Sequence, residues 1–413
     1  MNFSEQMLDA LHNEDLAEAQ VLFEEALRKD EAEVLADLGE NLMALGFLAE
    51  ARRTFEELLT RFPAAEELYL PLAEIVIEDG KTDEAFDLLE KIAPDSDAYP
   101  SALLVMADLY QVLGIPEVSE AKLKEAEAIL PDEPLIQFAL AELAFSNGNF
   151  VEALRLYEQL QNRGLEEVTG ISLNERIGNA LNMEGEFEEA IPYLEQALAD
   201  EQTDDRLFQL AFTYLQLKDN QKAIIYLQQL RALNPQYGSL YYYLGEALLE
   251  EEQLEEAATV LGEGISEDPY QVDLYLLAAE VAYRLHDPEG SEKWLQEALT
   301  LGEKTEEARL TLSNLYLSEA RYEEAIDALV GVEGDAQAEW NLAQAYNALE
   351  DFTQAAVHYE NAAEDLQHEP EFMKEYGIFL REEGQFDKAK ALLTHYLAHE
   401  PGDLEVASLL DEM

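Results

Sequence analysis

The sequence predicts an all-α protein made of stacked pairs of antiparallel helices, and two observations predict this fold class. A small residue recurs within an apolar helical pattern, at Gly39, Ala73, Ala107, Ala141, Gly178, Ala211, Gly245, Ala279, Ser313, Ala343 and Gly377. The intervals are 34, 34, 34, 37, 33, 34, 34, 34, 30 and 34 residues. In addition, glycine or proline stands where helices of this spacing would end. A short helix pair cannot bury its apolar face alone, so such a period indicates a stacked array.

The first complete unit shows how each pair is encoded. Its first helix has apolar residues at the i, i+3, i+4 and i+7 positions of one helix face, which are Leu35, Leu38, Gly39 and Leu42. Gly46 follows this helix and favours the left-handed backbone conformation of a helix end. The second helix has its own apolar stripe, which consists of Ala51, Phe55 and Leu58. Pro63 ends the unit because proline cannot continue a helix.

This order of residues closely resembles the tetratricopeptide repeat (TPR). Two later units show the same pattern, with Tyr241, Gly245, Ala257 and Pro269 in one and Tyr376, Gly377, Ala389 and Pro401 in the other. The resemblance covers essentially the whole chain and implies a superhelical solenoid of about 12 repeats. The length, acidity and lack of an attached domain are also similar to the acidic, all-TPR cytoplasmic proteins of Bacillus-type bacteria, the YpiA-like group.

The repeat boundaries predict five segments. They are an abbreviated N-terminal repeat (1–31), repeats 2–5 (32–167), repeats 6–10 (168–333), repeats 11 and 12 (334–403) and a C-terminal capping helix (404–413). Three extra residues near 164–170 should loosen the stacking of the fifth unit on the sixth. A contraction around 331–334 should shorten the second helix of the tenth unit. Both places are candidate hinges, although a local change of loop length is the simpler interpretation.

Several units lack the glycine that ends the first helix. In units seven to eleven that position holds Lys218, Glu252, His286, Ala320 and Glu350. Neighbouring Asn and Asp residues readily adopt turn conformations. We therefore expect Asp219, Asn220 and Asp287 to form ordinary turns in these units.

The charge balance excludes several classes of partner. The chain has 90 Asp and Glu residues and 25 Lys and Arg residues, which gives a formal net charge of −65. Such a surface repels nucleic acid phosphates and anionic lipid. Cysteine is absent, and the sequence shows neither a signal peptide nor an apolar run of membrane-spanning length. We expect a monomeric cytoplasmic protein that binds neither nucleic acid nor membranes.

No motif in the sequence predicts catalysis, a cofactor or a metal site. His395 and His399 have the i, i+4 spacing of a zinc-binding helix, but Tyr396 stands where the zinc-protease pattern requires Glu. A pair of surface histidines is the favoured interpretation. Gly262 and Gly264 fall inside a predicted helix, whereas a phosphate-binding glycine motif requires a strand-to-helix turn. We therefore expect a protein that is not an enzyme.

The resemblance to TPR proteins places candidate ligand residues on the first helix of each unit, which lines the inner surface in that family. The positions one after, three before and four after the small residue share one helix face. The acidic candidates are Glu40, Glu74, Asp108, Glu142, Glu246 and Glu280. The apolar and aromatic candidates are Leu70, Leu104, Phe138, Phe145, Phe208, Tyr242, Leu276, Tyr283 and Trp340. An aromatic residue here packs between helices about as often as it contacts a ligand.

These residues predict a scaffold or adaptor protein. Its acidic, aromatic-lined concave groove would bind a basic or amphipathic segment of a partner protein. One alternative is that the acidity maintains solubility in a salt-rich cytosol while the partner binds elsewhere. Another is a decoy that mimics nucleic acid and binds a basic protein. A clamp for a chaperone's C-terminal carboxylate is not expected, because the lysines that such a groove requires are missing from the inner positions.

Overall fold

The computed structural model describes residues 2–413. In this range the chain forms 25 α-helices, one turn of 3-10 helix at Glu66–Leu68, and a two-stranded hairpin. The helices are α1 Phe3–His12, α2 Leu16–Lys29, α3 Ala32–Ala44, α4 Leu48–Arg61, α5 Tyr69–Glu78, α6 Thr82–Leu89, α7 Tyr99–Val112, α8 Pro116–Ile129, α9 Pro134–Ser146, α10 Phe150–Asn162, α11 Leu173–Glu184, α12 Phe187–Asp200, α13 Asp204–Gln216, α14 Asn220–Leu233, α15 Leu240–Glu250, α16 Leu254–Glu267, α17 Val272–Arg284, α18 Pro288–Leu301, α19 Thr305–Ser318, α20 Tyr322–Ala328, α21 Ala336–Ala348, α22 Phe352–Ala362, α23 Pro370–Glu382, α24 Phe386–His399 and α25 Leu404–Asp411.

The helices are grouped in two compact units, Met1–Gln202 and Thr203–Met413. The first unit contains six helix pairs, from α1–α2 to α11–α12, and the second contains six more, from α13–α14 to α23–α24, followed by α25. Within each unit the two helices of a pair pack against each other, and the second helix packs against the next first helix. The all-α repeat architecture is therefore confirmed. The finer division of the chain into five segments stays a prediction.

The two helices of a pair approach each other closely where the recurring small residue is glycine. A Cβ atom added to Gly39 would lie 2.6 Å from the Phe55 ring, and one added to Gly245 would lie 2.6 Å from Leu261. Both glycines are in the first helix of a pair, and the large side chain of the second helix occupies the space that they leave. Phe55 and Leu261 are consequently almost fully buried.

The turns without glycine differ from the sequence-based expectation. The residues at the glycine position themselves adopt the left-handed conformation, with φ between 55° and 61°, at Lys218, Glu252, His286, Ala320 and Glu350. Ordinary turns form in these units, as expected, but Asp219 and Asp287 do not supply the left-handed conformation. Instead, each of these carboxylates caps the following helix by accepting a backbone N–H, from Lys222 and Gly290 respectively. These side chains contribute more by capping a helix than by adopting a turn conformation, because the cap satisfies a backbone N–H that the helix leaves unpaired.

The insertion before the sixth pair folds into a hairpin. Strand β1, Glu167–Val168, pairs antiparallel with β2, Ile171–Ser172, with Val168 opposite Ile171. Thr169 and Gly170 both have positive φ, as a two-residue hairpin turn requires. Val168 is buried and the hairpin packs on α9, while α10 and α11 pack directly against each other. The expected loosening at this position is thus absent, because the extra residues form a structured connection beside the helices.

The contraction around residues 331–334 shortens α20, as the sequence predicted. This helix has seven residues, fewer than any other α-helix in the described chain. Gly331 and Gly334 both have positive φ in the connection that follows it.

Several ion pairs between neighbouring helix pairs join second helices to each other. Arg52 of α4 contacts Glu84 of α6 at 2.7 Å, and Arg231 of α14 contacts Glu263 of α16 at 2.6 Å. Partly exposed pairs of this kind contribute at most about 1 kcal/mol each. These contacts engage Arg52 and Arg231 with carboxylates of neighbouring second helices.

None of the helices in the described residues is both long enough and apolar enough to cross a membrane.

Two glycines of α16 test the close-packing argument within one helix. We expect Gly262→Ala to stabilise the protein by roughly 0.5–1 kcal/mol, because nothing lies within 4 Å of the added methyl group. Gly264→Ala should destabilise it by roughly 1–3 kcal/mol, because that methyl group would lie 2.5 Å from Cβ of Tyr241. The measurement is the urea unfolding curve of each variant, and similar effects of both substitutions would contradict the argument.

Candidate functional site

The candidate site is the first-helix face, which we define as the surface formed by the first helices of one unit. In the first unit these are α1, α3, α5, α7, α9 and α11, and in the second unit α13, α15, α17, α19, α21 and α23. Several consecutive first helices contact each other, as α7 does with α9 and α15 with α17. Each unit therefore presents a row of neighbouring first helices, and the sequence-predicted ligand residues lie on this row.

The side chains of five of the six predicted acidic residues make no hydrogen bond or ion pair in residues 2–413. These are Glu40, Glu74, Asp108, Glu246 and Glu280. Glu142 is different, because its Oε1 accepts a hydrogen bond from the Tyr157 hydroxyl and lies 3.0 Å from Nε of Arg176. Tyr157 is fully buried, so Glu142 satisfies a core hydroxyl and is a poor candidate for a ligand contact.

Burial raises the pKa of three of these unpaired carboxyl groups. Surrounding protein atoms raise the pKa values of Glu74 and Asp108 by desolvation, even though both side chains keep accessible surface. Desolvation is also the main cause of the raised pKa of Glu246, and the nearby carboxylates of Glu250 and Glu280 raise it further. A partner cation that replaces the lost hydration would favour the charged form of all three groups.

In the first unit the predicted apolar positions serve mainly as packing. Phe138 is 5% exposed and its ring lies 6.0 Å from that of Tyr157, so it offers almost no surface to a ligand. Phe145 is half-buried and packs edge-on against Phe150, with ring centroids 5.2 Å apart. Leu70 and Leu104 are also half-buried. The acidic residues of this unit are thus accompanied by little exposed aromatic surface.

In the second unit an aromatic cluster covers α13 and α15. It consists of five partly exposed rings with centroid separations between 5.1 and 6.3 Å, which belong to Phe208, Phe212, Tyr237, Tyr242 and Tyr243. The Tyr237 hydroxyl donates to Asp205, and burial followed by this hydrogen bond raises the pKa of Tyr237 to about 12. The Tyr237 hydroxyl therefore remains neutral at physiological pH, and the cluster offers partly exposed aromatic surface.

A cavity of about 340 Å³ lies between α17 and α19, on the same face of the second unit. Three predicted ligand residues of α17 line it: Leu276, Glu280 and Tyr283. Opposite them lie side chains of α19, which are Glu307, Thr311, Asn314 and Leu315, and the cavity is completed by Ala279 and Ser291. Carboxylates are the only charged groups in this lining.

Trp340, the last predicted aromatic residue, belongs to a separate network on α21. Its indole N–H donates to Glu375 at 3.2 Å and its ring packs edge-on against Phe372. Gln344 and the buried hydroxyl of Tyr359 also donate to Glu375. This carboxylate is surrounded by donors of its own chain, so the network joins helices α21, α22 and α23 and is a weaker ligand candidate than the cavity.

The sequence-based selection missed the α19 side of the cavity. Glu307 and Thr311 lie on the same helix stripe as Asn314, with the i, i+4, i+7 spacing, but they are not at the positions one after, three before or four after Ser313 from which the candidates were taken. Extending the stripe by one turn towards the N-terminus would have found Glu307. Ser291 could have been recognised from the sequence in another way, because most of the other pairs have alanine at this position, as at Ala257.

The described residues contain no group of three or more His, Asp or Glu side chains placed to hold a metal ion. The rings of His395 and His399 lie 4.9 Å apart on the exposed surface of α24, and His368 lies 6.0 Å from His395. Gly262 and Gly264 lie inside α16.

Comparison with sequence models of known families identifies the repeats along the chain. The model of YpiA-like, C-terminal tetratricopeptide repeats matches residues 336–403, and that of YpiA-like tetratricopeptide repeats matches residues 111–165. General tetratricopeptide-repeat models match residues 181–248 and 242–306. The model of the tetratricopeptide repeat protein 21 ARM repeat matches residues 4–112.

Two curated proteins are similar to this chain. The TPR repeat-containing protein YpiA of Bacillus subtilis (strain 168) is 36% identical over 356 residues, which cover 85% of this chain and 84% of that protein. Human tetratricopeptide repeat protein 21A is 27% identical over 202 residues, 48% of this chain and 15% of that protein.

Two solved structures illustrate the range of similar folds. The Cut9–Hcn1 hetero-tetramer of APC/C aligns over 98% of this chain and 94% of its own, with 15% identity and a TM-score of 0.43. YrrB, described as a TPR protein with an unusual peptide-binding site, aligns over 44% of this chain and 93% of its own, with 20% identity and a TM-score of 0.39.

The raised pKa of Glu246 gives a testable pH dependence. Because the folded-state pKa lies above the ordinary value of 4.5, the ionised carboxyl destabilises the fold, and stability is recovered as the pH falls through the folded pKa. We expect Glu246→Gln to raise the urea midpoint at pH 7 and to lose this advantage below pH 4.5, where the native carboxyl is itself neutral. Glu255→Gln on α16 has the same change in net charge and serves as the control. An equal gain from both variants would show that overall charge, and not the site, is responsible.

Proposed function

Because the chain belongs to the YpiA-like family of tetratricopeptide-repeat proteins, we propose that it is a non-enzymatic scaffold or adaptor that binds a basic, amphipathic segment of a partner protein. The binding surface is the first-helix face of the second unit, from α13 to α19, which we call the α13–α19 groove. One observation carries the proposal: unpaired carboxylates and partly exposed aromatic side chains occur side by side on this face.

The charge distribution supports a basic partner. Glu246 lies on α15 with part of the aromatic cluster, Glu280 lines the cavity, and neither has a cation of its own chain as a partner. The nearby basic side chains are already engaged, since Arg284 contacts Glu252, Lys304 contacts Asp273, and Arg309 donates to the Ala328 carbonyl. A partner cation would therefore meet carboxylates whose mutual repulsion it relieves, which favours both encounter and selection by charge.

The apolar surface supports an amphipathic partner. The rings of the aromatic cluster are half-buried, and Tyr283 is 50% exposed beside the cavity. Aromatic residues that are already held by their neighbours bind with little loss of side-chain freedom. A helix with apolar and basic faces would bury its apolar residues on these rings and place its cations over Glu246 and Glu280.

The proposed role needs no catalytic group, cofactor or metal. It is that of a cytoplasmic adaptor that acts as a monomer and contributes one binding surface to an assembly. The first unit would contribute acidic residues to steering, because Glu40, Glu74 and Asp108 add to the field that attracts a cationic segment.

A defined peptide tests the proposal. We expect a fluorescein-labelled 18-residue helical peptide of Leu, Lys and Arg to bind the full-length protein, and a Leu and Glu version of the same pattern not to bind. The double variant Glu246→Lys/Glu280→Lys should weaken binding at least about tenfold, because two attractive contacts become repulsive. Fluorescence anisotropy at several salt concentrations measures both the affinity and its salt dependence.

The matched control changes the net charge equally on second helices. Glu255→Lys/Glu323→Lys alters exposed carboxylates of α16 and α20 and should weaken binding only about twofold. Equal losses in the two variants would contradict the groove and assign binding to overall charge. Displacement of the peptide by nucleic acid would indicate a decoy for a basic protein. Absence of peptide binding, together with a strong rise of melting temperature in KCl, would indicate that acidity serves solubility.

A further inference from the structure

The cavity between α17 and α19 has the form of a pocket for one side chain. Its volume of about 340 Å³ lies at the small end of the roughly 300–1,000 Å³ range of ligand sites. Leu276, Ala279 and Leu315 give it an apolar floor, and the small side chain of Ala279 leaves room above the α17 backbone. Such a floor suits the methylene groups of a long side chain.

Ser291 places an unsatisfied polar group in this pocket. The residue is 3% exposed and lines the cavity from α18, and its hydroxyl makes no hydrogen bond among the described residues. Alanine occupies the same position in the neighbouring pairs, at Ala257 and Ala325, so packing does not require the hydroxyl. Because Ser291 lines the cavity, its hydroxyl is available to hydrogen-bond a group of a bound molecule.

The negative charge of the pocket favours a positively charged group in the bound molecule. Glu280 on α17 and Glu307 on α19 line opposite sides, and neither has an ion-pair partner in residues 2–413. The neighbouring cation Lys304 is held by Asp273, and this contact raises the pKa of Lys304. The pocket therefore offers two carboxylates and a hydroxyl above an apolar floor.

We propose that this cavity is an arginine-side-chain pocket for the bound segment, an inference that rests on the proposed function. The guanidinium group carries five donors in one plane, so it can reach Glu280, Glu307 and Ser291 together. The exposed ring of Tyr283 lies at the same site, where it can stack on that plane. Lysine fits less well, because its ammonium is compact and strongly hydrated and satisfies fewer separated acceptors.

N-acetyl-arginine amide tests the pocket independently of any partner. We expect it to shift the methyl NMR signals of Leu276 and Leu315 saturably in the full-length, ¹³C-methyl-labelled protein. N-acetyl-citrulline amide, which has nearly the same shape but no charge, should bind about tenfold more weakly or worse, and N-acetyl-lysine amide should be intermediate. The signals are assigned with Leu276→Met and Leu315→Met.

Variants separate the pocket residues from their surroundings. Glu307→Gln should weaken arginine amide binding about tenfold and leave citrulline amide unchanged, because only the charge-assisted contact is lost. Ser291→Ala should weaken both probes while the protein remains folded, since alanine is the common residue at this position. Glu306→Gln is the matched control, because Glu306 lies in the same first turn of α19 but does not line the cavity.

The results distinguish this inference from the proposed function. Equal binding of arginine and citrulline amides, equal effects of Glu306→Gln and Glu307→Gln, or no shift of the two leucine signals would overturn the pocket. If the basic helical peptide still bound the α13–α19 groove in that case, the proposed function would stand without an arginine pocket. Failure of both the peptide and the arginine amide would remove the proposed function as well.

Discussion

The close contact between the two helices of each pair is the constraint on which the rest of this structure depends. At Gly245 the backbone of α15 comes so near to Leu261 of α16 that even a methyl group has no space. This contact buries the large side chain of the second helix and thereby removes its apolar surface from water. It also fixes the rotation of the first helix, and thereby determines which of its residues remain outside the core. Glu246, the residue next to Gly245, is on the first-helix face for this reason.

Charge is divided unevenly between the two faces of each unit. The chain has only 25 basic residues for 90 acidic ones, and several of them link neighbouring second helices, as Arg52 does with Glu84 and Arg231 with Glu263. Several carboxylates on the first helices lack partners, and protein atoms around Glu74, Asp108 and Glu246 remove part of their hydration. In the second unit such carboxylates occur on the same face as the partly exposed aromatic rings.

Much of the fold could be predicted from the sequence because its determinants are local or strictly periodic. The 34-residue interval, the apolar stripes and the terminating glycine and proline residues each depend on a few neighbouring residues, and all were confirmed in type and position. The turns at Lys218 and His286 show where such reasoning fails. Composition favoured the adjacent aspartates as turn residues, but these aspartates cap the next helix, and the choice between the two roles depends on where that helix begins.

The sequence by itself determined the helix pairs, their number and the residues that face away from the pair's own core, because helical periodicity relates all of these to one recurring small residue. Only the tertiary structure decided which of those residues are available to a ligand. Phe138 and Glu142 follow the same sequence pattern as Leu276 and Glu280. Tyr157 packs against Phe138 and donates a hydrogen bond to Glu142. In contrast, Leu276 and Glu280 line an open cavity between α17 and α19. That difference depends on contacts among side chains of three or more helices. The spacing of residues along a single helix does not specify such contacts.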